Sequence, residues 1–268
     1  MGVSFLLTGS VWQWLEWIRA DLAGKARGAT FKQVSRDDIG ELRISLPPLE
    51  TQRRIAAILD GAEALRAKRR QALRRIDTLA ESVFIDLFGD PDHHQAKGGR
   101  AVPLGDVAEI VSGITKGRQL NGQTTRSVPY LAVANVQDRT LNLNFVKMIE
   151  ATEDEIKRYE LKVDDLLLTE GGDPDKLGRG TLWKQEITEC IHQNHIFRVR
   201  LQSSEVQALY VNCLIASRYG KAYFLKSAKQ TTGIATINTT QLRNFPLAVP
   251  PLSLQREFEA QLQAFIRS

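Results

Sequence analysis

Apolar positions change their spacing several times along this chain, and each change predicts a different element. Between residues 49 and 88, Ile55, Leu59, Ala62, Arg66, Arg69, Leu73, Ile76, Ala80, Val83 and Leu87 follow alternating steps of four and three. That is the spacing of a helix seam packed against a partner helix. Leu65 and Leu79 widen the seam, and two arginines interrupt it. The stretch holds no proline and one glycine, Gly61, and is rich in alanine, leucine, arginine and glutamate. Helix propensity therefore agrees with the periodicity. Forty residues at the helical rise make a rod of about 60 Å. So lightly apolar a rod does not bury itself, and Ile55, Leu59, Leu73, Ile76, Val83 and Leu87 are expected to pair with another helix. "FGDPDHHQAKGG" (88–99) stops it with glycine and proline and reads as a linker.

From 101 to 250 the texture becomes short β-rich runs between turn residues: "VPYLAVANV" (128–136), "DDLLLTE" (164–170), "GTLWKQEI" (180–187) and "HIFRVRL" (195–201). Helical stretches lie among them at 152–160 and 204–224. The expectation is a mixed α+β domain joined to a long coiled-coil-type helix.

The chain also repeats itself. "ISLPPLETQRR" (44–54) and "LAVPPLSLQRE" (247–257) share a constant offset of 203 residues, and extending the pair backwards sets Val34 on Ile237, Ser35 on Asn238 and Ile39 on Leu242. A period near 200 is far too long for a solenoid unit and is the length of a domain plus a connector. Each double proline ends a strand, because proline removes a ladder donor and holds the preceding residue extended. A helix follows each time, the second starting at 252. "ELRISL" (41–46) is the strand-like end of the first copy. The expected organisation is 1–46, the tail of a first globular domain; 47–89, the long helix; 90–250, one complete domain; and 251–268, the start of a second helix.

Composition narrows the class. Apolar residues are 43% and charged residues 25%, ordinary for a globular protein, so neither disorder nor a membrane bundle is indicated. No apolar run reaches the roughly 18 residues that span a bilayer. Net charge is +5, which permits nucleic-acid binding without requiring it. Two cysteines, Cys190 and Cys213, form no disulfide framework and suit a reducing cytoplasm.

The order of these parts resembles the DNA-specificity subunit of type I restriction–modification systems. "YLAVANVQDRTLNL" (130–143), "LKVDDLLLTEGGDPDKLGR" (161–179), "CIHQNHIFRVR" (190–200), "GIATIN" (233–238) and "VFIDLFGDP" (83–91) all echo that family, with Asp164 where the family usually has glycine. The resemblance implies globular domains that each recognise half of a split site on double-stranded DNA. It implies helices that set the spacing and dock methyltransferase (modification) subunits, with a restriction/translocase subunit completing the complex. It implies no catalytic residue, no cofactor and no metal in this chain. One complete recognition domain and a short second helix suggest a half-length or truncated form. A homodimer through the long helix, or pairing with a separately encoded fragment, would complete it. The alternative is a structural adaptor that binds the modification subunit through its helix without reading DNA.

Candidate contacts follow the chemistry of phosphates and base edges. "GGDPDKLGRG" offers Lys176 and Arg179 beside glycines that let the backbone approach a phosphate, or it is a plain solvated turn. "SGITKGRQL" (112–120) offers Lys116 and Arg118, with the same alternative. "AKQTTGIATIN" (228–238) offers Lys229, Gln230, Thr231 and Thr232. Asn135 and Gln137 could read adenine or cap a turn. The basic run "RAKRRQALRR" (66–75) pairs with acidic partners or faces DNA. Cys190, His192 and His195 imitate a metal site, but three candidates fall short of a structural zinc set, and alternation along a strand would separate the histidines. Asp92 with Glu155 and Lys157 imitates a nuclease signature, although "TEDEIKR" reads as a helix. No phosphate-binding G-x-x-x-x-G-K-[ST] loop or adenine-methyltransferase motif occurs.

Overall fold

The computed structural model describes residues 14–15, 17–26, 33–42, 47–89, 100–120, 122–172, 177–231 and 234–267. The chain forms two compact units, Met1–Arg75 and Ile76–Ser268. "ELRISL" lies mostly outside the described residues.

The first unit holds α1 (Arg19–Lys25), α2 (Arg36–Gly40) and the beginning of α3 (Leu49–Phe88). Ser35 starts α2 with a reciprocal cap: its Oγ accepts from the Asp38 N–H (3.1 Å), and Asp38 Oδ2 accepts from the Ser35 N–H (3.2 Å). At the start of α3, Gln52 Nε2 donates to the Pro47 carbonyl (2.9 Å). Helix α3 is continuous over its 40 residues. It stops at Gly89, whose φ of 87° is the left-handed cap that glycine adopts without strain.

The second unit runs, in chain order, through β1 (Arg100–Pro103), α4 (Leu104–Val107), β2 (Ala108–Ser112), β3 (Arg126–Leu131), β4 (Val136–Gln137), β5 (Thr140–Leu141), β6 (Lys147–Ala151) and α5 (Glu153–Tyr159). There follow β7 (Leu166–Thr169), β8 (Gly171–Gly172), β9 (Gly180–Leu182), β10 (Ile191–His192), β11 (Ile196–Leu201), α6 (Ala208–Ala216) and α7 (Arg218–Ser227). The last elements are β12 (Lys229–Thr231), β13 (Ile234–Thr236), α8 (Thr239–Arg243), β14 (Pro246–Val249) and α9 (Leu252–Arg267). The central sheet is antiparallel, in the order β2-β11-β7-β9. Beside it stand β10-β3-β6 and β12-β13-β8, with the ribbons β1-β14 and β4-β5.

The main core contains Ile110, Leu166, Leu168, Phe197 and Val199 of the central sheet with Tyr210, Leu214 and Phe224 of α6 and α7. The end of α3 belongs to it: Phe84 stacks on Tyr210 at 5.5 Å, and Phe84 and Phe88 meet Phe258 of α9 edge-on at 5.6 and 5.5 Å. Val83 and Leu87, expected to pair with another helix, pack against this same core.

The internal repeat is structural. Helix α8 sits at the offset of α2, and Asn238 caps it as Ser35 caps α2, with Gln241 in the place of Asp38. Helix α9 begins at the offset of α3, and Gln255 Nε2 donates to the Pro250 carbonyl (2.8 Å) as Gln52 does to Pro47. The repeated sequence is thus a turn-and-launch device: a capped helical turn, two prolines, and a glutamine that ties the new helix back to the chain before it.

Several elements differ from the sequence expectation. The helical run 204–224 is two helices, because Ser217 turns extended (ψ 171°) and its Oγ caps α7. The strand expected over 128–136 stops at Leu131, where a 3-10 turn (Val133–Asn135) begins. The run 180–187 is extended only to Leu182; Gln185 beyond it has positive φ. Asp164 also has positive φ (66°), a conformation glycine enters freely, and its N–H donates to the Trp183 carbonyl (2.8 Å).

Candidate nucleic-acid interface

The register of the central sheet gathers the nominated loops at one end. Ser112, where β2 finishes, faces Phe197; Ile196 faces Thr169, where β7 finishes; and Leu168 faces Gly180, where β9 starts. The chain after Ser112, the chain after Thr169 and the chain before Gly180 therefore meet the sheet side by side. Gly171 and Gly172 continue into β8, which pairs with β13, so the 228–238 hairpin joins the same end. The Arg139 N–H donates to the Gly180 carbonyl (2.9 Å), bringing the β4–β5 turn there as well.

Lys116 is exposed on its loop. The root of that loop is rigid: a Cβ on Gly113 would fall 1.9 Å from the His192 carbonyl oxygen, and the Ile114 N–H donates to that carbonyl (2.8 Å). Arg118 is held inward. Its Nε and Nη2 donate to the Glu155 carboxylate at 2.5 and 2.6 Å, and Nη2 also to the Glu150 carbonyl at 2.7 Å. The Arg118 hydrogen bond keeps the Glu155 carboxyl below its usual range.

Asn135 is buried, with both ends of its amide in use. Its Oδ1 accepts from the Ala132 N–H (2.8 Å), and its Nδ2 donates to the carbonyls of Asn142 (2.8 Å) and Phe145 (2.9 Å). It brackets the 3-10 turn, the capping role the sequence left open. Gln137 and Arg179 come together: Gln137 Nε2 donates to the Ala134 carbonyl (2.8 Å), and its Oε1 accepts from Arg179 Nη1 (3.4 Å). Lys229, Gln230 and Thr231 form β12 against β13, and Thr232 and Lys176 lie outside the described residues. On α3, Ile55 is exposed, Leu59 and Ile76 are half-buried, and the Leu73 side chain is outside the described residues.

The three metal-like residues do not converge, since the chain changes sheets between them. Cys190 and His192 are buried, His192 on β10, while His195 is exposed in the turn before β11, with Nδ1 2.5 Å from Glu170 Oε2. Burial pushes the Cys190 thiol up to about 12. His192 Nδ1–H donates to the Ile196 carbonyl (3.0 Å), and burial, with Arg198 nearby, pulls its pKa down to about 3. Among the described residues no group of three or more His, Cys, Asp or Glu could hold a metal ion.

Sequence reasoning missed two features here. The Glu170–His195 pair stands at the sheet end with no motif to mark it. Arg198 and Arg200 point from one face of β11 and carry a partly buried network: Arg198 reaches Glu109 (2.9 Å) and the carbonyls of Arg158 (2.9 Å) and Glu160 (3.0 Å), while Arg200 clamps Asp165 at 2.7 Å. Two arginines two apart in "IFRVRL" were the available signal.

A family model described as the type I restriction modification DNA specificity domain matches residues 6–75 and 99–268. The chain belongs to that family. Among its relatives, the type I restriction enzyme StySPI specificity subunit of Salmonella potsdam is 22% identical over 257 residues, covering 91% of this chain and 55% of that protein. The EcoKI specificity subunit of Escherichia coli (strain K12) is 20% identical over 261 residues, with the same two coverages. The chain thus spans about half the length of these curated relatives. Among solved structures, the HsdS subunit from Thermoanaerobacter tengcongensis is 21% identical at a TM-score of 0.46, covering 94% of this chain and 60% of that one. A type I S subunit from M. genitalium is 15% identical at 0.49, covering 98% and 68%. Within this DNA specificity family, the sheet end that collects the basic and glycine-rich loops is the candidate interface.

Proposed function

We propose that the chain is the sequence-reading part of a type I restriction–modification complex in the cytoplasm, without catalysis of its own. It would direct methyltransferase and restriction/translocase subunits to a split target on double-stranded DNA. The observation that carries this reading is that the described parts of three nominated loops, 112–120, 171–180 and 228–238, meet at one end of the central sheet and the β12-β13-β8 sheet beside it, in a chain of this family. Phosphate contacts from such loops position a protein on the duplex, and a few side chains reaching base edges specify the sequence. A second copy would supply the other half-site. Supporting that, Ile55, Ile58 and Leu65 of α3 are 42%, 62% and 69% exposed at helical spacing. Two identical recognition domains related by a two-fold axis would read an interrupted palindrome.

Selection from a random-sequence DNA library by the chain assembled with its modification subunit tests the reading. A fixed half-site motif is expected. Recovery of unselected sequence would favour the adaptor role, in which α3 docks a partner and no base is read.

A further inference from the structure

We infer that Arg179 is a base-reading residue that takes a guanine, and that Gln137 is its positioning residue. This rests on the DNA-recognition reading and assigns a role within it.

Arg179 is held at every level, unlike a solvated loop arginine. Its neighbours are two glycines with no room for a side chain. Gly178 has φ of 68°, and a Cβ there would fall 2.6 Å from the Phe224 ring; a Cβ on Gly180 would fall 2.2 Å from the Leu167 carbonyl oxygen. The Arg179 carbonyl accepts twice from Thr169 at the end of β7, from its N–H at 3.0 Å and its Oγ1 at 3.3 Å. The side chain is half-buried, with Nε shielded from solvent and without a partner among the described residues. A donor so placed is costly unless the position of the group is worth keeping.

Gln137 sets the direction of the guanidinium. The Ala134 carbonyl can only accept and the arginine can only donate, so the amide has one orientation that serves both, with nitrogen to Ala134 and oxygen to Arg179. At 3.4 Å the contact to Arg179 orients without immobilising. One Nη1 hydrogen is taken up in this way, and among the described residues the other Nη hydrogens have no partner. Gln137, nominated as an adenine reader, already uses both ends of its amide inside the protein.

A lysine or arginine that neutralises a phosphate needs no such preparation, because charge acts at any angle. Discrimination between base edges needs a fork held in register. Arginine's paired N–H groups match guanine O6 and N7 in the major groove.

The test is random-library DNA selection by the full chain assembled with its modification subunit, comparing wild type with R179A, R179K, Q137A and Q137E. Wild type should recover a motif with guanine at one position. R179A and R179K should each lose discrimination there by roughly 5- to 150-fold and leave the other positions unchanged. Q137A should blur that same position, and Q137E, which keeps an acceptor facing Arg179 but sets its second oxygen against the Ala134 carbonyl, should recover it only in part. Thermal melts of each variant separate this from misfolding, and R179K stands in if R179A does not fold. A uniform loss of affinity with an unchanged motif would make Arg179 a phosphate contact and overturn the assignment while leaving the DNA reading intact. Failure of wild type to select any motif would remove both.

Discussion

Gln52 and Gln255 occupy the same place in the repeated sequence, make the same bond to a proline carbonyl, and should differ sharply in what they contribute. Gln255 is fully buried and makes two further contacts: its Oε1 accepts from the Gln207 N–H (2.8 Å), and its Nε2 also donates to the Glu205 carbonyl (2.9 Å). It therefore ties the start of α9 to the segment that leads into α6. Gln255→Ala would leave one backbone donor and two carbonyls without their partner, the Pro250 carbonyl in a buried position and the other two in partly buried ones. An unpaired buried group costs about 1–3 kcal/mol, and the donor, with a single hydrogen, suffers most. The total should be about 3 kcal/mol, or roughly 6–12 °C in Tm for a unit of this size. Gln52 makes the one bond to Pro47, and its Oε1 is buried without a partner among the described residues. Gln52→Ala loses that bond but also removes the unsatisfied oxygen, so the two effects nearly cancel and the loss should stay below about 1 kcal/mol. Urea unfolding gives the size of each effect. Hydrogen exchange read by peptide mass then locates it: Gln255→Ala should release protection over 205–208 and 252–258. Equal losses for the two variants, or a larger loss for Gln52→Ala, would show that the extra contacts of Gln255 carry no stability and refute the reasoning.

Three other outcomes are expected. Burial holds the folded His192 near 3 against an ordinary value of 6.5, so the unfolded chain takes up the proton first as pH falls; its contribution is complete above about 6.5 and declines by about 1.4 kcal/mol per pH unit towards 3. The stability of His192→Asn, which keeps a donor for the Ile196 carbonyl, should lack that slope between pH 6 and 4, and parallel curves for the two proteins would argue against it. Lys116→Ala should lower the salt slope of DNA binding by about one. Arg118→Ala, two residues on, should instead lower stability by about 1–2 kcal/mol through the released Glu155 and Glu150 contacts, and a reversal of these two phenotypes would move the interface. Sedimentation at micromolar concentration should show a dimer that Ile58→Asp combined with Leu65→Asp converts to monomer; a wild-type monomer would remove pairing through this face.

How much was legible in the sequence follows from how local each signal is. The extent of α3 could be read directly, since propensity, heptad spacing and the proline and glycine stops all act within a few residues. The repeat was legible too, because a turn, two prolines and a glutamine form a local device whose geometry travels with its sequence. The α+β class followed from the change in period, and the nominated loops followed from glycine and positive charge. Which of those loops share one end of the sheet was not legible, since β2-β11-β7-β9 brings together strands far apart in the chain and the pairing depends on burial across the whole domain. The same holds for the side chains. Lys116 and Arg118 are two positions apart and chemically alike, yet one is exposed and the other closes on Glu155, 37 residues away. Asn135 and Gln137 carried the same two readings in the sequence, adenine reader or turn cap, and tertiary contacts made one a bracket for a turn and the other the neighbour of Arg179. Sequence alone determined the long helix, the repeat and the α+β class, because short-range sterics and hydrogen bonds write them. Only the tertiary structure decided which charges face outward, because that depends on the partners that folding brings within reach.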